Sequence, residues 1–256
     1  GAMDHDPVHD EVILDFVANH VHEEHPLIQE HPEWKTALFL PDSTMNVRIW
    51  DDQRLTTWFD TFLPSLDFSR PEVIELQSDS ALFWLNEFNL DVFRHYATKH
   101  IPTTFWRRLT QKIKLSEDHP LFQIGETFGN RELIGAYVGS GMMDGQFDFN
   151  MYFDLRGVLT SEEPDASQIV KSMQASLDQY GYLHLKVNVS GNHDMPRFIA
   201  LAGKSLGPGE DPKEAGWNRK IGVKDPVGYK KLEQLHAFLM LAPGVPVVYY
   251  GDEIGM

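Results

Sequence analysis

The 256-residue chain contains no cysteine, which excludes disulfide bonds and thiolate metal sites. The absence leaves the localisation open between an extracytoplasmic and a cytoplasmic protein, because many secreted enzymes also lack cysteine. Basic residues are scarce: 22 lysines and arginines stand against 38 aspartates and glutamates, giving a net charge of -16. This balance disfavours nucleic acids and anionic membranes as partners and is compatible with a neutral ligand such as a sugar.

Long hydrophobic runs are absent as well. No apolar stretch reaches the ~18 residues that a membrane span needs, and no signal peptide is visible. The opening Gly1-Ala2-Met3 is typical of the residues that protease cleavage of an expression tag leaves behind, so residues 1–10 are interpreted as a tag or linker. The remaining length suits one α/β domain with a sizeable core.

Short apolar runs and amphipathic stretches alternate along the chain. This alternation predicts a parallel sheet with helical crossovers. The first run, EVILDFV, is β-branched and suits a strand buried on both faces. Residues 21–70, rich in Pro, His, Trp and Asp, form an excursion, and residues 203–228 are predicted to be a loop. The predicted strands are 11–17, 90–97, 120–127, 145–153, 183–191 and 245–251. The predicted helices are 71–88, 102–114, 166–179 and 228–241.

Polar residues collect at the carboxyl ends of the predicted strands, where α/β barrels place their chemistry. A single glutamate at a strand end is more often solvated than catalytic, but the joint pattern is unusual. The residues are Asp15, Asn19 and His20 at the end of the first strand, Arg94 on the second, Glu126 in QIGET of the third, and His193 and Asp194 in VSGNHD at the end of the fifth.

Four sequence blocks carry a family resemblance. The blocks DFVANH, DVFRHYATKH, GETF and GNHDMPR resemble, in order, the four motifs of the α-amylase superfamily, glycoside hydrolase family 13. FLPSLDF resembles the additional motif of that family, and PGVPVVYYGDEIGM resembles the end of its eighth barrel strand.

The resemblance implies a (β/α)8-barrel type of fold over residues 11–256, with residues 21–70 as a short inserted B domain. The first motif belongs to the third barrel strand but begins close to the start of this chain. The implied barrel therefore lacks its first two strands and the C-terminal β-sandwich, unless the sequence is only part of the natural protein. Residues 11–17 and 245–251 would then be apolar edges, which favour self-association or closure of a smaller barrel.

The resemblance also implies cleavage or transfer of α-glucosidic bonds with retention, acting on an α-glucan or maltooligosaccharide. Retention needs a nucleophile and an acid/base whose carboxyl groups lie ~5–5.5 Å apart. By motif, Glu126 is the acid/base, Asp194 the transition-state stabiliser, and Arg94 the residue that orients the nucleophile. The motifs imply that the substrate-binding residues are Asp15, His20, Lys99, His100 and His193. Calcium occurs in many family members, with Asn19 at a position that often contributes a ligand.

The nucleophile position is occupied by Tyr96. A phenol is mostly protonated at neutral pH and is longer than an aspartate, so it is expected to project into the space of the sugar ring. Val92 replaces the usual glycine and Ser65 replaces a usual aspartate. We therefore expect little or no ordinary amylase activity. The alternatives left open are a non-catalytic carbohydrate-binding pseudoenzyme and an engineered barrel fragment.

Histidine and tryptophan patterns have simpler interpretations. His20, His22 and His25 fit no strict metal-ligand spacing, so solvated loop histidines are favoured. Trp84 and Trp106 fall on predicted helices and are predicted to be core residues. The tryptophans of the excursion are candidates for stacking on a glycan; they are Trp34, Trp50 and Trp58.

Overall fold

The computed structural model describes residues 12–88, 90–116, 121–139, 141–207 and 209–256. The chain divides into two compact units, one comprising Gly1–Phe128 with Ala136–Gly145 and the other Gly129–Gly135 with Gln146–Met256. The predicted tag or linker at residues 1–10 lies outside the described residues. No helix in the described ranges is both long enough and apolar enough to cross a membrane.

The predicted strand series is confirmed, with shorter bounds than the apolar runs suggested. The strands follow one another in the sheet in chain order, which is the order expected of a (β/α) barrel type of fold. β1 pairs with β2, β2 with β3 and β5 with β6, each in parallel. The bounds are β1 Ile13–Phe16, β2 Val92–His95, β3 Phe122–Gly125, β4 Gly145–Phe147, β5 Leu185–Val189 and β6 Val245–Val247.

The prediction that the first strand is buried on both faces is wrong. Ile13 is 59% exposed and its neighbours Val12 and Val17 are also exposed, whereas Phe16 is buried. Burial alternates along β1, with Ile13 and Asp15 exposed on one face and Phe16 buried on the other, so only one face is covered. Among the described residues β1 also stands at the end of the strand order, next to β2. The expectation of an apolar edge at this strand therefore agrees with the structure, and the expectation of two covered faces does not.

In the first unit, α2 (Pro71–Phe88) and α3 (Thr103–Ser116) form where helices were predicted. α3 buries Trp106 completely, and the indole Nε1–H donates to the Thr98 carbonyl at 3.1 Å. The prediction that Trp84 is a core residue is wrong, because Trp84 is 40% exposed and stacks on Phe88. A hydrophobic residue on an amphipathic helix is buried only if its side of the helix meets a neighbour.

Residues 21–70 contain little regular structure. They form α1 (Pro26–Glu30), one 3-10 turn at Pro32–Trp34 and several isolated bridges. Buried Trp58 supports the segment, since its Nε1–H donates to the Thr36 carbonyl at 3.1 Å. The assignment of this segment as a B domain stays a prediction.

The second unit packs helices around a cluster that includes Met151, Leu155, Phe198 and Leu235. The helix predicted near 166–179 is confirmed as α6, and the helix predicted at 228–241 is confirmed as α9 with a start one residue earlier. The helices of this unit are α4 Arg131–Gly135, α5 Phe149–Thr160, α6 Ser167–Tyr180, α7 Phe198–Ala202, α8 Pro212–Asn218 and α9 Val227–Leu241.

Two sequence predictions fail in the second unit for the same physical reason, an aspartate cap. The strand predicted over 145–153 ends at Phe147, because the Asp148 side chain accepts from the Met151 N–H and starts α5. The loop predicted over 203–228 contains α8, which Asp211 caps in the same way ahead of Pro212.

Candidate active site

Parallel pairing brings three predicted site residues of the first unit together. Asp15 on β1 stands opposite Arg94 on β2, and Arg94 stands opposite Ile124 on β3. Glu126 follows β3 directly, and its N–H donates to the His95 carbonyl at 3.0 Å. The carboxyl ends of neighbouring strands thus deliver the two carboxylates to the two sides of one guanidinium.

Arg94 forms ion pairs with both carboxylates. Its Nη1 lies 2.8 and 2.7 Å from the two Asp15 oxygens, and its Nη2 contacts the Glu126 carboxylate. Glu126 is only 3% exposed, so the arginine is a major source of compensation for its charge. Burial opposes the charge of Arg94, but the hydrogen bond to Asp15 and the charges of Glu126 and Asp15 outweigh it and raise the pKa of Arg94.

Tyr96 completes this group, which we call the Arg94 cluster: Asp15, Arg94, Tyr96 and Glu126. The tyrosine follows the end of β2, and its N–H donates to the Phe16 carbonyl at 3.1 Å. The Arg94 guanidinium carbon lies 5.4 Å from the centre of the phenol ring, within the range of a cation–π contact.

An aromatic wall extends from Tyr96 through Phe59. The centre of the Phe59 ring lies 5.9 Å from the ring centre of Tyr96, 4.5 Å from that of His20 and 5.1 Å from that of His100. Trp50 joins the wall through Phe59 at 4.9 Å and remains 36% exposed, so one part of the indole is open to a ligand. No family motif singles out Phe59, although the aromatic-rich stretch TWFDTF that contains it is a readable signal.

Burial sets the protonation of the two histidines in this wall. It lowers the pKa of His20 to about 4, and it is also the main reason that the pKa of His100 falls to about 4. Both imidazoles are therefore neutral at pH 7, the form that can donate one hydrogen bond and accept another.

Lys99 and His100 lie on a 3-10 turn that the excursion holds in place. His100 Nδ1 lies 2.8 Å from the Arg54 carbonyl, and Arg54 in turn donates to the Lys99 carbonyl and the Tyr137 hydroxyl. Burial lowers the pKa of Lys99, whose ammonium lies 3.8 Å from Asp51. Lys99 and His100, the two predicted sugar-binding residues, are thus held by noncovalent contacts with Asp51 and Arg54.

Asn19 makes a hydrogen-bonded junction. It is buried, and its Nδ2 donates to the Ser65 hydroxyl at 3.0 Å, while that hydroxyl donates to the Thr57 carbonyl at 2.6 Å. A calcium site needs six to eight oxygens. Among the described residues no group of three or more acidic, histidine or cysteine side chains is placed to hold a metal. These contacts fit a structural junction better than a metal site, and Asn19 as a calcium ligand stays a prediction.

The remaining predicted site residues belong to the second unit. His193 and Asp194 follow β5 on an open turn, with side chains 60% and 51% exposed. The Asp194 N–H donates to Asn192 Oδ1 at 2.9 Å, and His193 Nε2 lies 3.5 Å from Asp194 Oδ2. Both side chains are available to a ligand.

Comparison with known proteins gives a family match over almost the whole chain. The profile described as alpha amylase, catalytic domain, matches residues 9–256. Alpha-amylase 2 of Dictyoglomus thermophilum is 24% identical over 249 residues, which cover 95% of this chain and 38% of that protein. A 4-alpha-glucanotransferase of Thermotoga neapolitana is 26% identical over 82% of this chain and 42% of its own length.

Solved structures agree with the profile. An Anoxybacillus alpha-amylase matches with a TM-score of 0.78 and 24% identity, covering 96% of this chain and 49% of that one. The alpha-amylase from Geobacillus thermoleovorans, solved with acarbose, matches with a TM-score of 0.77 and 26% identity, covering 96% and 50%. The chain spans about half or less of the length of these relatives.

Proposed function

Because this chain belongs to the alpha-amylase family of catalytic domains, we propose that it binds α-glucans and maltooligosaccharides and is severely impaired in hydrolysing them. Relatives named cyclomaltodextrinase and maltogenic alpha-amylase support maltooligosaccharides as the ligand class. The impairment is argued from this chain's own residues, because Tyr96 stands at the nucleophile position of the family motif.

The observation that carries the proposal is the Arg94 cluster. A retaining glycosidase needs one carboxylate to attack the sugar and one carboxylic acid to protonate the leaving group. In the cluster Glu126 contacts the Arg94 guanidinium and occupies the acid/base position of the motif, whereas the nucleophile position holds the phenol of Tyr96. With Tyr96 in place of a carboxylate, the nucleophile role is not filled in this arrangement.

Sugar binding requires hydrogen-bonding and stacking side chains but no nucleophile. Neutral His20 offers a donor and an acceptor to sugar hydroxyls, and the partly exposed Trp50 offers an apolar face for a pyranose ring. The Nδ1–H of buried His100 is taken by the Arg54 carbonyl, which leaves Nε2 as an acceptor. The exposed His193 and Asp194 of the second unit are the other proposed ligand contacts. These residues allow sugar affinity to persist after loss of turnover.

The binding half of the proposal is tested by calorimetric titration of the unmodified chain with acarbose and maltoheptaose. We expect measurable affinity that falls in a Trp50→Ala variant and stays constant in a Trp84→Ala variant. Trp84 is the matched control, because it is 40% exposed and its ring contacts Phe83 and Phe88 of its own helix α2. Absence of binding, or equal losses in the two variants, would reject this half.

The catalytic half is tested by hydrolysis of an aryl α-maltoside. We expect turnover by the unmodified chain to be lower by on the order of 10⁴ or more than in a family enzyme with its carboxylate nucleophile. The Glu126→Gln variant serves as the background for chemistry at this site. Substantial turnover in the unmodified chain that disappears in Glu126→Gln would show that Tyr96 does not impair the enzyme.

A second candidate property is self-association through β1, favoured by the 59% exposure of Ile13 on a strand at the end of the strand order. An exposed apolar edge strand is a template for pairing with another copy. Light scattering of the unmodified chain and of an Ile13→Lys variant tests this. We expect association that the lysine weakens; a monomeric mass at high concentration in the unmodified chain would exclude it.

A further inference from the structure

The 190–197 loop, from Ser190 to Arg197, carries both predicted site residues of the second unit but gives them little packing. The side chains of His193 and Asp194 are more than half exposed and contact each other, and the Asp194 N–H donates to Asn192 Oδ1. Such short-range contacts shape the turn but do not fix its position on the sheet. The side-chain contacts that hold the loop lie at its two ends, at Ser190 and Arg197.

Both ends of the loop meet the same buried carboxylate. The Ser190 hydroxyl donates to Asp252 Oδ2 at 2.5 Å, and Arg197 Nη1 donates to Asp252 Oδ1 at 2.9 Å. Asp252 is only 2% exposed and lies on the 3-10 turn Asp252–Ile254 beyond β6. Each oxygen of the Asp252 carboxylate thus accepts a hydrogen bond from one end of the loop.

The backbone beyond β6 completes this connection. The Tyr249 N–H donates to the Ser190 hydroxyl at 2.8 Å, and the Arg197 guanidinium donates to the Tyr250 carbonyl. The guanidinium carbon of Arg197 lies 4.4 Å from the Tyr249 ring centre and 4.8 Å from that of Tyr250. Arg197 is therefore fixed by hydrogen bonds and by two aromatic rings at once.

We propose that Asp252 is a positioning residue: it fixes both ends of the 190–197 loop and so presents His193 and Asp194 to the sugar. The ligand part of this inference rests on the proposed function, whereas the positioning part rests on the contacts of Asp252 alone. Asp252 acts through Ser190 and Arg197 and does not itself need to touch the ligand.

The positioning part is tested without any ligand, by amide hydrogen exchange of residues 191–196 in an Asp252→Asn variant. The control is Glu253→Gln, which removes one negative charge from the adjacent, exposed residue of the same turn. We expect exchange in the loop to accelerate about 10-fold or more in Asp252→Asn, since hydrogen bonds to a charged group are lost. The control should exchange like the unmodified chain.

A Ser190→Ala variant guards against failure of Asp252→Asn to fold, because it removes the contact at one end of the loop only. It should accelerate exchange in 191–196 by less than Asp252→Asn does. Loop exchange that is equal to the Glu253→Gln control in both variants would overturn the inference, whatever the outcome of the sugar-binding experiments.

The ligand part is tested by a double-variant cycle with acarbose. Alone, Asp252→Asn should weaken acarbose binding by about 10-fold, a loss of the size expected from a misplaced charged hydrogen bond. In an Asp194→Asn background the same change should have little further effect, because the residue that it positions is already disabled. Fully additive losses would instead indicate a general structural role and overturn this part. Absence of acarbose binding in the unmodified chain would reject the proposed function and leave the exchange result standing.

Discussion

The Arg94 cluster and the 190–197 loop derive from motifs of one family, yet they use their charges in opposite ways. In the cluster the candidate acid/base Glu126 is buried and in contact with Arg94. In the loop the candidate stabiliser Asp194 is exposed, and the charge that neutralises Arg197 comes from the separate residue Asp252. In the Arg94 cluster the charged side chains pair with one another, whereas in the 190–197 loop His193 and Asp194 stay accessible to a ligand.

We therefore expect the Arg94 cluster to contribute mainly to the stability of the fold and the 190–197 loop mainly to ligand binding. Groups that neutralise one another within the fold contribute to its stability but have little left to offer a substrate. Groups held by a distant anchor contribute little to stability and remain available for binding.

Removal of the Arg94 guanidinium should have the largest effect on stability. The Arg94→Met variant leaves the buried Glu126 carboxylate without this partner, and such losses cost about 3–5 kcal/mol of unfolding free energy. Urea denaturation measures this. The matched control is Arg48→Met, which removes an ion pair with Asp60 at 2.6 Å whose arginine side chain is 60% exposed, so its loss should be much smaller. Equal losses of unfolding free energy in the two variants would show that the ion pairs of Arg94 do not stabilise the cluster.

Acid should destabilise the first unit through its buried histidines. Burial lowers the pKa of His95 to about 3, although the hydrogen bond to Gln123 raises it in part. The folded pKa therefore lies below the unfolded value of 6.5, so the neutral imidazole stabilises the fold above pH ~6.5 and that contribution is lost as pH falls toward 3. Between pH 7 and 5 the expected loss from His95 is about 2 kcal/mol.

Urea denaturation at pH 7, 6 and 5 measures this loss, with a His95→Gln variant to remove the titrating group. The variant should show a shallower fall in unfolding free energy with pH than the unmodified chain. An unchanged slope would mean that His95 is not neutral in the folded protein.

Substitutions in the loop should have the smallest effect on stability. Asp194→Asn alters an exposed side chain, so the unfolding free energy should stay within about 0.5 kcal/mol of the unmodified value. Acarbose affinity should nevertheless fall in the same variant. Loss of stability comparable to that of Arg94→Met would remove the contrast between the two regions.

The strand and helix series could be predicted because hydrophobic period and family motifs agree over most of the chain. Asp148 and Asp211 were missed as helix caps, although a short polar residue before a helical stretch is a readable signal. The exposure of Ile13 and Trp84 could not be read from their own positions. Burial depends on which neighbours cover a strand or helix face, and a local pattern does not contain that information.

The candidate site was predictable in its residues but not in their partners. The motifs singled out Arg94, Tyr96 and Glu126, and the resemblance implied that Arg94 orients a nucleophile. The contacts of Arg94 with Asp15 and Glu126 follow from strand register and side-chain reach, which a motif does not specify. Phe59 and Asp252 were missed because their importance comes from contacts distant in sequence.

Whether Tyr96 is the residue that withholds catalysis is tested by comparing Tyr96→Asp with Tyr96→Phe in aryl α-maltoside hydrolysis. Tyr96→Asp restores a carboxylate beside Arg94, whereas Tyr96→Phe keeps the ring and removes only the hydroxyl. We expect Tyr96→Asp to raise turnover roughly 100-fold or more above the unmodified chain, a fraction of what a nucleophile contributes, and Tyr96→Phe to stay at the unmodified level. Equal rates in the two variants would contradict the account, because Tyr96 would then not be the residue that withholds catalysis.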